Sequence, residues 1–322
     1  MTERLAGAAT VNRVEYDRIG GPEVLAWRAA PIPSPHPGEV RIAMRAASVN
    51  PIDGKTRAGL LPPLPLGFPA GTGRDGMGRV VALGEGVGGE WLGRRVAFLA
   101  PRGGAGTWAE AVNMPVAVLA EVPETVGDLA AAALPLAGLS AAAVLASGAI
   151  ALGQSAEGRR VLVHAAAGGV GRIAVQLARL AGAEVHATAS AANREVLQDL
   201  GAARVWARDA EDFAALREVD LVIDLLGGEV HARSYQTLRP GGILACLRAA
   251  PFTDRSAEFG VRVSVAEVAP DPAVLAQLLD LVAAGKLDPG PAHVLPARDF
   301  AEAQRRSDTG RLSGKLVLDF QA

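Results

Sequence analysis

Apolar positions along the chain follow two rhythms, and the change between them falls near Pro123. From Val11 to about Pro123 the apolar runs are short and strand-like: VNRVEYD, EVLAWRAA, EVRIAMRAAS, GRVVALG, RRVAFLA, TWAEAVN and AVLAEVP. Gly/Pro clusters separate them, most densely at Pro31–Gly38 and Leu61–Gly73, and together they predict an all-β lobe built as a partly open barrel. From Thr125 to about Gly285 helical and strand periodicities alternate. Helices are predicted near Gly127–Leu134 and Ala137–Leu152, and strands at Val161–His164, Glu184–Ser190, 204–206, 220–226, 242–248 and 261–267. That alternation predicts an α/β unit, a doubly wound parallel sheet of six strands. The tail, VLPARDFAEAQRRSDTGRLSGKLVLDF, predicts a short helix and a last strand that returns to the first lobe. The expected division is therefore residues 1–123, rejoined by 286–322, and residues 124–285. The first ten residues are expected to be mobile.

The segment VLVHAAAGGVG, residues 161–171, carries the clearest chemistry. A four-residue strand runs into a turn of small residues, and the apolar-periodic run from Val170 starts a helix. Such a turn presents free backbone N–H groups at a helix N-terminus, where a pyrophosphate binds. The spacing is a variant of GxGxxG, with Ala166 at the first glycine place, then Gly168 and Gly171. A glycine pattern alone is weak, but here the strand before it and the helix after it are both present. Ala167, Gly168, Gly169, Val170 and Gly171 are the candidate cofactor-binding residues of this turn. The other reading is a tight βα turn with no ligand.

The next strand bears on which dinucleotide binds. It ends Thr188-Ala189-Ser190, without the acid that would accept hydrogen bonds from a ribose 2′-OH. Glu184 stands at the opposite end of that strand. Ser190, Asn193 and Arg194 follow it, with Arg204 and Arg208 after the next helix. Hydroxyl, amide and guanidinium donors suit a 2′-phosphate, which favours NADPH over NADH. Alternatively, Arg194 and Arg208 are ordinary solvated arginines.

Composition narrows the class further. Half of the 322 residues are hydrophobic, the net charge is −2 and aromatics make up 4%, so neither nucleic acid nor an anionic membrane is an expected partner. MTERLAGAATVNR has no apolar signal-peptide core, and Leu129–Leu152 reads as buried helices rather than a membrane span. A cytoplasmic protein is expected. The single cysteine, Cys246, rules out an intrachain disulfide or a cysteine-built zinc site, and it reads as a small core residue. The five histidines are scattered; His164 and His186 fall within predicted strands. Metal catalysis is not expected.

With these residues in view, the chain resembles the medium-chain dehydrogenases/reductases, in the zinc-independent quinone oxidoreductase and enoyl reductase branch. The resemblance spans about residues 11–320. It is carried by ASVNPIDGKTRAG (47–59), PAGTGRDGMGRVVALGEGV (69–87), LPLAGLSAA (134–142), the glycine turn, DLVIDLLGG (220–228), LRPGGILA (238–245) and GRLSGKLVL near the end. It implies a GroES-like β lobe followed by a Rossmann lobe. Where zinc-dependent members carry a cysteine ligand this chain has Asn50, and in place of their His-Glu pair it has Arg74-Asp75.

Without a metal Lewis acid, charge developing on a plain ketone oxygen lacks its usual stabiliser. A quinone, enone or enoyl thioester instead accepts hydride at carbon and spreads the charge. The resemblance places Asn50, Asp53, Lys55 and Arg57 beside the nicotinamide as the candidate catalytic residues. Asn50 would orient substrate or ribose, and Lys55 or Arg57 would stabilise an oxyanion, or Lys55 relay a proton. Alternatively Asn50 and Asp53 cap a turn, with Asp53 paired to Lys55 or Arg57. Ser140, Gly227, Gly228 and Lys315 are carried over as cofactor contacts. The proline-rich Leu61–Phe68 segment is expected to line the cleft, which suggests an apolar substrate. Family reductases often use a tyrosine as proton donor; neither Tyr16 nor Tyr235 lies where one is expected, which leaves Lys55 or water. Two other readings stay open: a cofactor-binding protein with a structural or regulatory role, and a non-redox enzyme such as a cyclase. The apolar strand 261–267, last in its sheet, predicts a homodimer formed by edge pairing.

Overall fold

The computed structural model describes residues 2–61, 67–247 and 252–322. Most of the proline-rich segment expected to line the cleft, residues 62–66, lies outside them. The chain divides into two compact units, residues 1–136 with 269–322, and residues 137–268.

Strands are numbered in chain order. The first unit opens with β1 (Thr10–Tyr16), β2 (Ala26–Pro31), β3 (Glu39–Val49), β4 (Ala70–Gly71), β5 (Asp75–Leu83), β6 (Arg95–Leu99), β7 (Ala111–Pro115) and β8 (Leu119–Glu121). The second unit holds β9 (Arg160–Val163), β10 (Glu184–Ala189), β11 (Arg204–Ala207), β12 (Val219–Asp224), β13 (Leu238–Leu247) and β14 (Arg262–Ala266). The chain then returns to the first unit with β15 (Pro291–Pro296) and β16 (Lys315–Asp319).

In the first unit a seven-stranded sheet runs β15-β16-β3-β5-β6-β8, with β7 also paired to β3. The expected return of the tail is made by β16, which lies antiparallel to β3 with Leu316 opposite Val49 and Leu318 opposite Ala47. Strand β3 is buried at nearly every position, and its Val40, Ile42 and Met44 pack with Val96, Phe98, Leu316 and Leu318 in one core. That packing places the ends of β3 and β16 side by side, and the polar site lies there. The N-terminus departs from expectation. Thr2–Ala6 is a helix, Leu5 is fully buried, and the Arg41 guanidinium donates to the carbonyls of Leu5, Ala6 and Ala8. A buried arginine needs acceptors for its N–H groups, and this segment supplies them.

The second unit is a six-stranded parallel sheet of order β11-β10-β9-β12-β13-β14. Strand order reverses between β9 and β12, so their carboxyl ends form the switch point where doubly wound folds bind ligands. Helix Gly169–Leu180 buries eight of its residues, from Gly171 to Ala178. The helix predicted over 137–152 stops at Ser147. A Cβ at Gly148 would come within 2.4 Å of Leu221 Cδ1, and Ala149 turns the backbone at φ +65°. Among the described residues no helix is long and apolar enough to cross a membrane.

Candidate active site

In the second unit the glycine turn follows β9 directly. Ala165 takes φ +50°, Ala166 N donates to Thr188 O at 3.1 Å, and Gly168 N to Ala165 O at 3.0 Å. Gly168 is the N-cap of helix Gly169–Leu180, and among the described residues no side chain caps it. The first N–H groups of this helix, at Gly169, Val170 and Gly171, therefore point outward as donors. That donor set fits a pyrophosphate. At Gly171 a Cβ would sit 2.4 Å from Ala165 O and 2.6 Å from Ala166 Cα, so only glycine lets the helix approach the turn this closely. Ala167, Gly168, Gly169 and Val170 are half-buried around the opening. Behind the turn, His164 is buried between Thr188 Oγ1 and Ser234 Oγ, each at 2.9 Å. Burial pushes it down to about 4, which keeps it neutral.

Three of the candidate residues for the far end of a dinucleotide cluster where β10 ends. Asn193 Nδ2 donates to Ser190 Oγ at 2.8 Å, and Arg208 N donates to Ala189 O, which sets the exposed Arg208 beside the strand end. Arg194 turns to Glu211 at 2.7 Å. The Glu211 carboxylate also accepts from Ala207 N, and these bonds hold it below the usual carboxylate range. An acid thus stands near this end after all, supplied by the loop after β11 and neutralised by Arg194 and Arg204. Beyond the end of β12, Gly227 and Gly228 have φ of +76° and +58°, and Ser140 is buried on helix Pro135–Ser147. Cys246 is buried on β13, and burial pushes its thiol up to about 11.

The first unit gathers Asn50, Asp53 and Lys315 into one buried polar network. Where β3 ends, Asn50 caps helix Pro51–Arg57, and its N–H donates to Asp53 Oδ2 at 2.8 Å. Asn50 Nδ2 donates to Asp75 Oδ1 at 2.8 Å and to Ser48 Oγ at 3.1 Å, while its Oδ1 accepts from Lys315 Nζ at 2.6 Å. Both amide protons and the carbonyl are engaged, so the orientation of Asn50 is fixed. Ser48 Oγ donates to Asp75 Oδ1 at 2.6 Å, and Asp75 Oδ2 accepts from Leu136 N at 2.8 Å. Burial pushes Lys315 below its usual range, with Asp75 and Asp53 opposing. Burial likewise pushes Asp53 up to about 7, with the Asn50 N–H, Lys315 and Arg74 opposing and Asp75 adding to the rise. Among the described residues Asp53 Oδ1 is buried without a hydrogen-bond partner. A protonated carboxyl suits that position, because it need not be paired as an anion.

Lys55 is half-buried on the same helix. Arg57 is committed elsewhere: its Nη2 donates to Asp308 at 2.7 Å and its Nε to Gly20 O at 3.0 Å. Asp53 caps the turn, and the ion pair of Arg57 is with Asp308. Three participants were not among the candidate site residues of the sequence, although Asp75 stood out there in place of a His-Glu pair and Tyr16 was set aside as a proton donor. Ser48 and Asp75 complete the network, and Tyr16 lines a cleft of about 40 Å³ together with Asp53, Thr56, Thr72 and Arg74. The available signal for Asp75 was a carboxylate at the head of β5, directly before the small and apolar Gly76, Met77 and Gly78. Among the described residues no group of three His, Cys, Asp or Glu could hold a metal.

Comparison with known proteins bears on both units. Residues 36–124 match the family model for the alcohol dehydrogenase GroES-like domain, and residues 200–318 match that for zinc-binding dehydrogenase. A quinone oxidoreductase from Coxiella burnetii superposes with a TM-score of 0.86 at 31% identity, over 96% of this chain and 99% of that one. Escherichia coli quinone oxidoreductase, solved in complex with NADPH, superposes with a TM-score of 0.85 at 27% identity, over 96% and 99%. In sequence, the chain is 37% identical to a chloroplast envelope quinone oxidoreductase homolog of Arabidopsis thaliana, over 64% of each chain. It is 35% identical to the polyketide synthase GfsB of Streptomyces halstedii, over 92% of this chain but 5% of that protein. The chain thus spans less than two thirds of these two curated relatives.

Proposed function

The chain belongs to the medium-chain dehydrogenase/reductase superfamily, in its quinone oxidoreductase branch, and from that premise we propose that this NAD(P)-dependent oxidoreductase uses NADPH, without zinc, to reduce a conjugated acceptor: a quinone, an enone or an enoyl thioester. The observation that carries the reading is the Asn50–Lys315 contact. Asn50 and Asp75 stand at positions that the resemblance assigns to a zinc site, and both belong to a hydrogen-bonded network around a buried lysine. A lysine supplies positive charge without coordinating oxygen, which suits an acceptor that spreads its own charge.

The turn donors Gly169, Val170 and Gly171 would hold the pyrophosphate, and Ser190, Asn193 and Arg208 the 2′-phosphate. NADPH over NADH is supported by the strand end at Ala189-Ser190, which carries no acid of its own. The Arg194–Glu211 pair makes Arg208 the stronger phosphate ligand of the two arginines. When bound, the cofactor supplies the hydride. Ser140 and Gly227 would border its nicotinamide half. Asn50, held rigid by Ser48, Asp75 and Lys315, orients what binds against it. Asp53 holds a proton on its carboxyl up to about pH 7, so it takes the part of proton reserve that sequence reasoning left to Lys55 or water. Lys55 remains a second candidate for that part.

Quinone oxidoreductases and an enoyl reductase both stand among the structural relatives. The CurK enoyl reductase superposes with a TM-score of 0.83 at 28% identity. The deciding experiment is NADPH consumption with 1,4-naphthoquinone and with 2-enoyl thioesters, against NADH controls. Turnover of either class at least tenfold faster with NADPH is expected. Tight NADPH binding with no turnover of any conjugated acceptor would sink the proposal.

A further inference from the structure

The second unit contains a buried chain of hydrogen bonds that the proposed reaction does not use. Asp224, the last residue of β12, accepts from Leu226 N at 2.9 Å and Gly227 N at 3.0 Å. Its Oδ2 lies 2.8 Å from His231 Nδ1, His231 Nε2 lies 3.1 Å from the Tyr235 hydroxyl, and that hydroxyl accepts from Arg255 N at 3.1 Å. Asp224, His231 and Tyr235 are each at most 2% exposed. Burial opposes ionisation of Asp224, yet the bonds from His231, Gly227 and Leu226 outweigh it and hold the carboxyl below its usual range.

The directions of these bonds follow from the partners. A carboxylate only accepts, so His231 Nδ1 carries a proton; where Nε2 carries none it accepts and Tyr235 donates to it, with Thr253 O at 3.5 Å as a second acceptor for that hydroxyl. The Tyr235 oxygen remains free to take the Arg255 N–H. Every donor in the chain thus has an acceptor, and its ends are backbone amides of two separate segments: the loop after β12 and the residues before helix Ser256–Phe259. The first of these lies at the carboxyl edge of the sheet, next to the switch point between β9 and β12. The second follows β13, the neighbour of β12. In a doubly wound fold the residues that select the adenosine ribose stand at the end of the second strand, here β10. The other half of a dinucleotide bound in this way would lie over β12 and β13.

We propose that His231 and Tyr235 are positioning residues for the nicotinamide half of the cofactor, acting through Asp224 to couple the Leu226–Gly227 loop to the segment ending at Arg255. The inference rests on the dinucleotide reading above. The ring of His231 also stacks on Phe252 at 4.4 Å, and Tyr235 stacks on Phe259 at 5.4 Å, so the relay has an apolar frame that keeps both rings in place when one polar group is removed.

Tyr235→Phe keeps that frame and deletes the hydroxyl. Titrations with NADPH and with 2′-phospho-ADP-ribose, which lacks the nicotinamide, compare the two halves of the site. The variant is expected to bind NADPH about tenfold more weakly than the wild type while binding the fragment equally well. Nitrogen NMR of His231 supplies a readout independent of binding: the Nδ1–H tautomer in the wild type, with the Nε2 resonance shifted in Tyr235→Phe. His231→Gln, which can donate to Asp224 and accept from Tyr235, should recover part of the NADPH affinity that His231→Leu loses. Equal weakening of NADPH and the fragment, unchanged NADPH affinity in a folded Tyr235→Phe protein, or the opposite tautomer would each overturn the inference. Failure of the wild type to bind either NADPH or the fragment would instead remove the dinucleotide reading, leaving the tautomer as measured.

Discussion

Lys315 Nζ lies 2.6 Å from Asn50 Oδ1, joining the start of β16 to the end of β3 across 265 positions of sequence. The pairing of these two strands sets Leu316 against Val49, which brings the lysine to the cap of helix Pro51–Arg57. Both side chains are buried, so removal of the ammonium leaves Asn50 Oδ1 without a side-chain donor and Asp75 without its buried cation. Lys315→Met should therefore lower the urea midpoint by the equivalent of about 3 kcal/mol. Turnover should fall at least tenfold. A fully active, equally stable variant would show that the contact carries neither stability nor chemistry.

Asp53 provides a test by pH. Its carboxyl is held at about 7, above that of a free aspartate, so the folded chain binds this proton more tightly than the unfolded chain does. The contribution to stability is full below about pH 4 and is lost as pH rises to about 7, by up to about 4 kcal/mol. Asp53→Asn still offers an oxygen to the Asn50 N–H but cannot ionise. It should match the wild type near pH 4 and exceed it in stability above pH 7. Urea unfolding at pH 4.5 and pH 8 reads the difference; a gap that stays constant would mean that the carboxyl ionises at its ordinary value. In the variant, the acceptor-reduction profile should also lose its limb near pH 7.

The two arginines near β10 separate by cofactor. Arg208→Ala should weaken NADPH about tenfold and NADH little, because a guanidinium–phosphate contact contributes roughly 1.4 kcal/mol. Arg194→Ala should also weaken NADPH more than NADH, by a smaller factor, since Glu211 already holds that side chain. Ser190→Asp should shift preference toward NADH by placing an acid at the strand end. Equal losses for both cofactors in Arg208→Ala would refute the 2′-phosphate assignment.

Gly171→Ala tests the close approach of helix Gly169–Leu180 to its turn. The added methyl would meet Ala165 O at 2.4 Å, and backbone cannot swing away as a side chain can. A loss of about 1–3 kcal/mol in stability is expected, together with weaker NADPH binding. Gly168→Ala meets only Ala165 O at 3.4 Å and should be milder in stability.

These cases show which features were legible in the sequence. The six parallel strands and the glycine turn were, because strand periodicity and turn chemistry are local. The return of the tail was legible from its last apolar run. Strand β15 was not: PAHVLP is short and bounded by prolines, and it becomes a strand only by pairing with β16. The site was legible one residue at a time. Asn50, Asp53 and Lys315 could be named, but their joining through Ser48 and Asp75 depends on the register of β3 with β5 and β16, which no local pattern encodes. Likewise Arg57 is a cation beside a candidate site in sequence, whereas its partner Asp308 comes from helix Phe300–Asp308, 251 residues away.

Strand β14 bears on oligomeric state. Among the described residues it is the last strand of its sheet and pairs with β13 alone, through Val263 opposite Leu244 and Val265 opposite Cys246. Its outer edge thus presents unpaired backbone groups beside Val265, which is 39% exposed. A monomer would leave an apolar edge open to any other strand, whereas a twin strand across a two-fold axis satisfies the backbone and covers the valine. A homodimer is the expected state, with light scattering giving twice the 33.0 kDa chain mass. Val265→Lys places a charge on the edge and should yield a monomer that still binds NADPH, because the glycine turn and the end of β10 are untouched. A wild-type chain that scatters as a monomer would overturn the edge-pairing assignment.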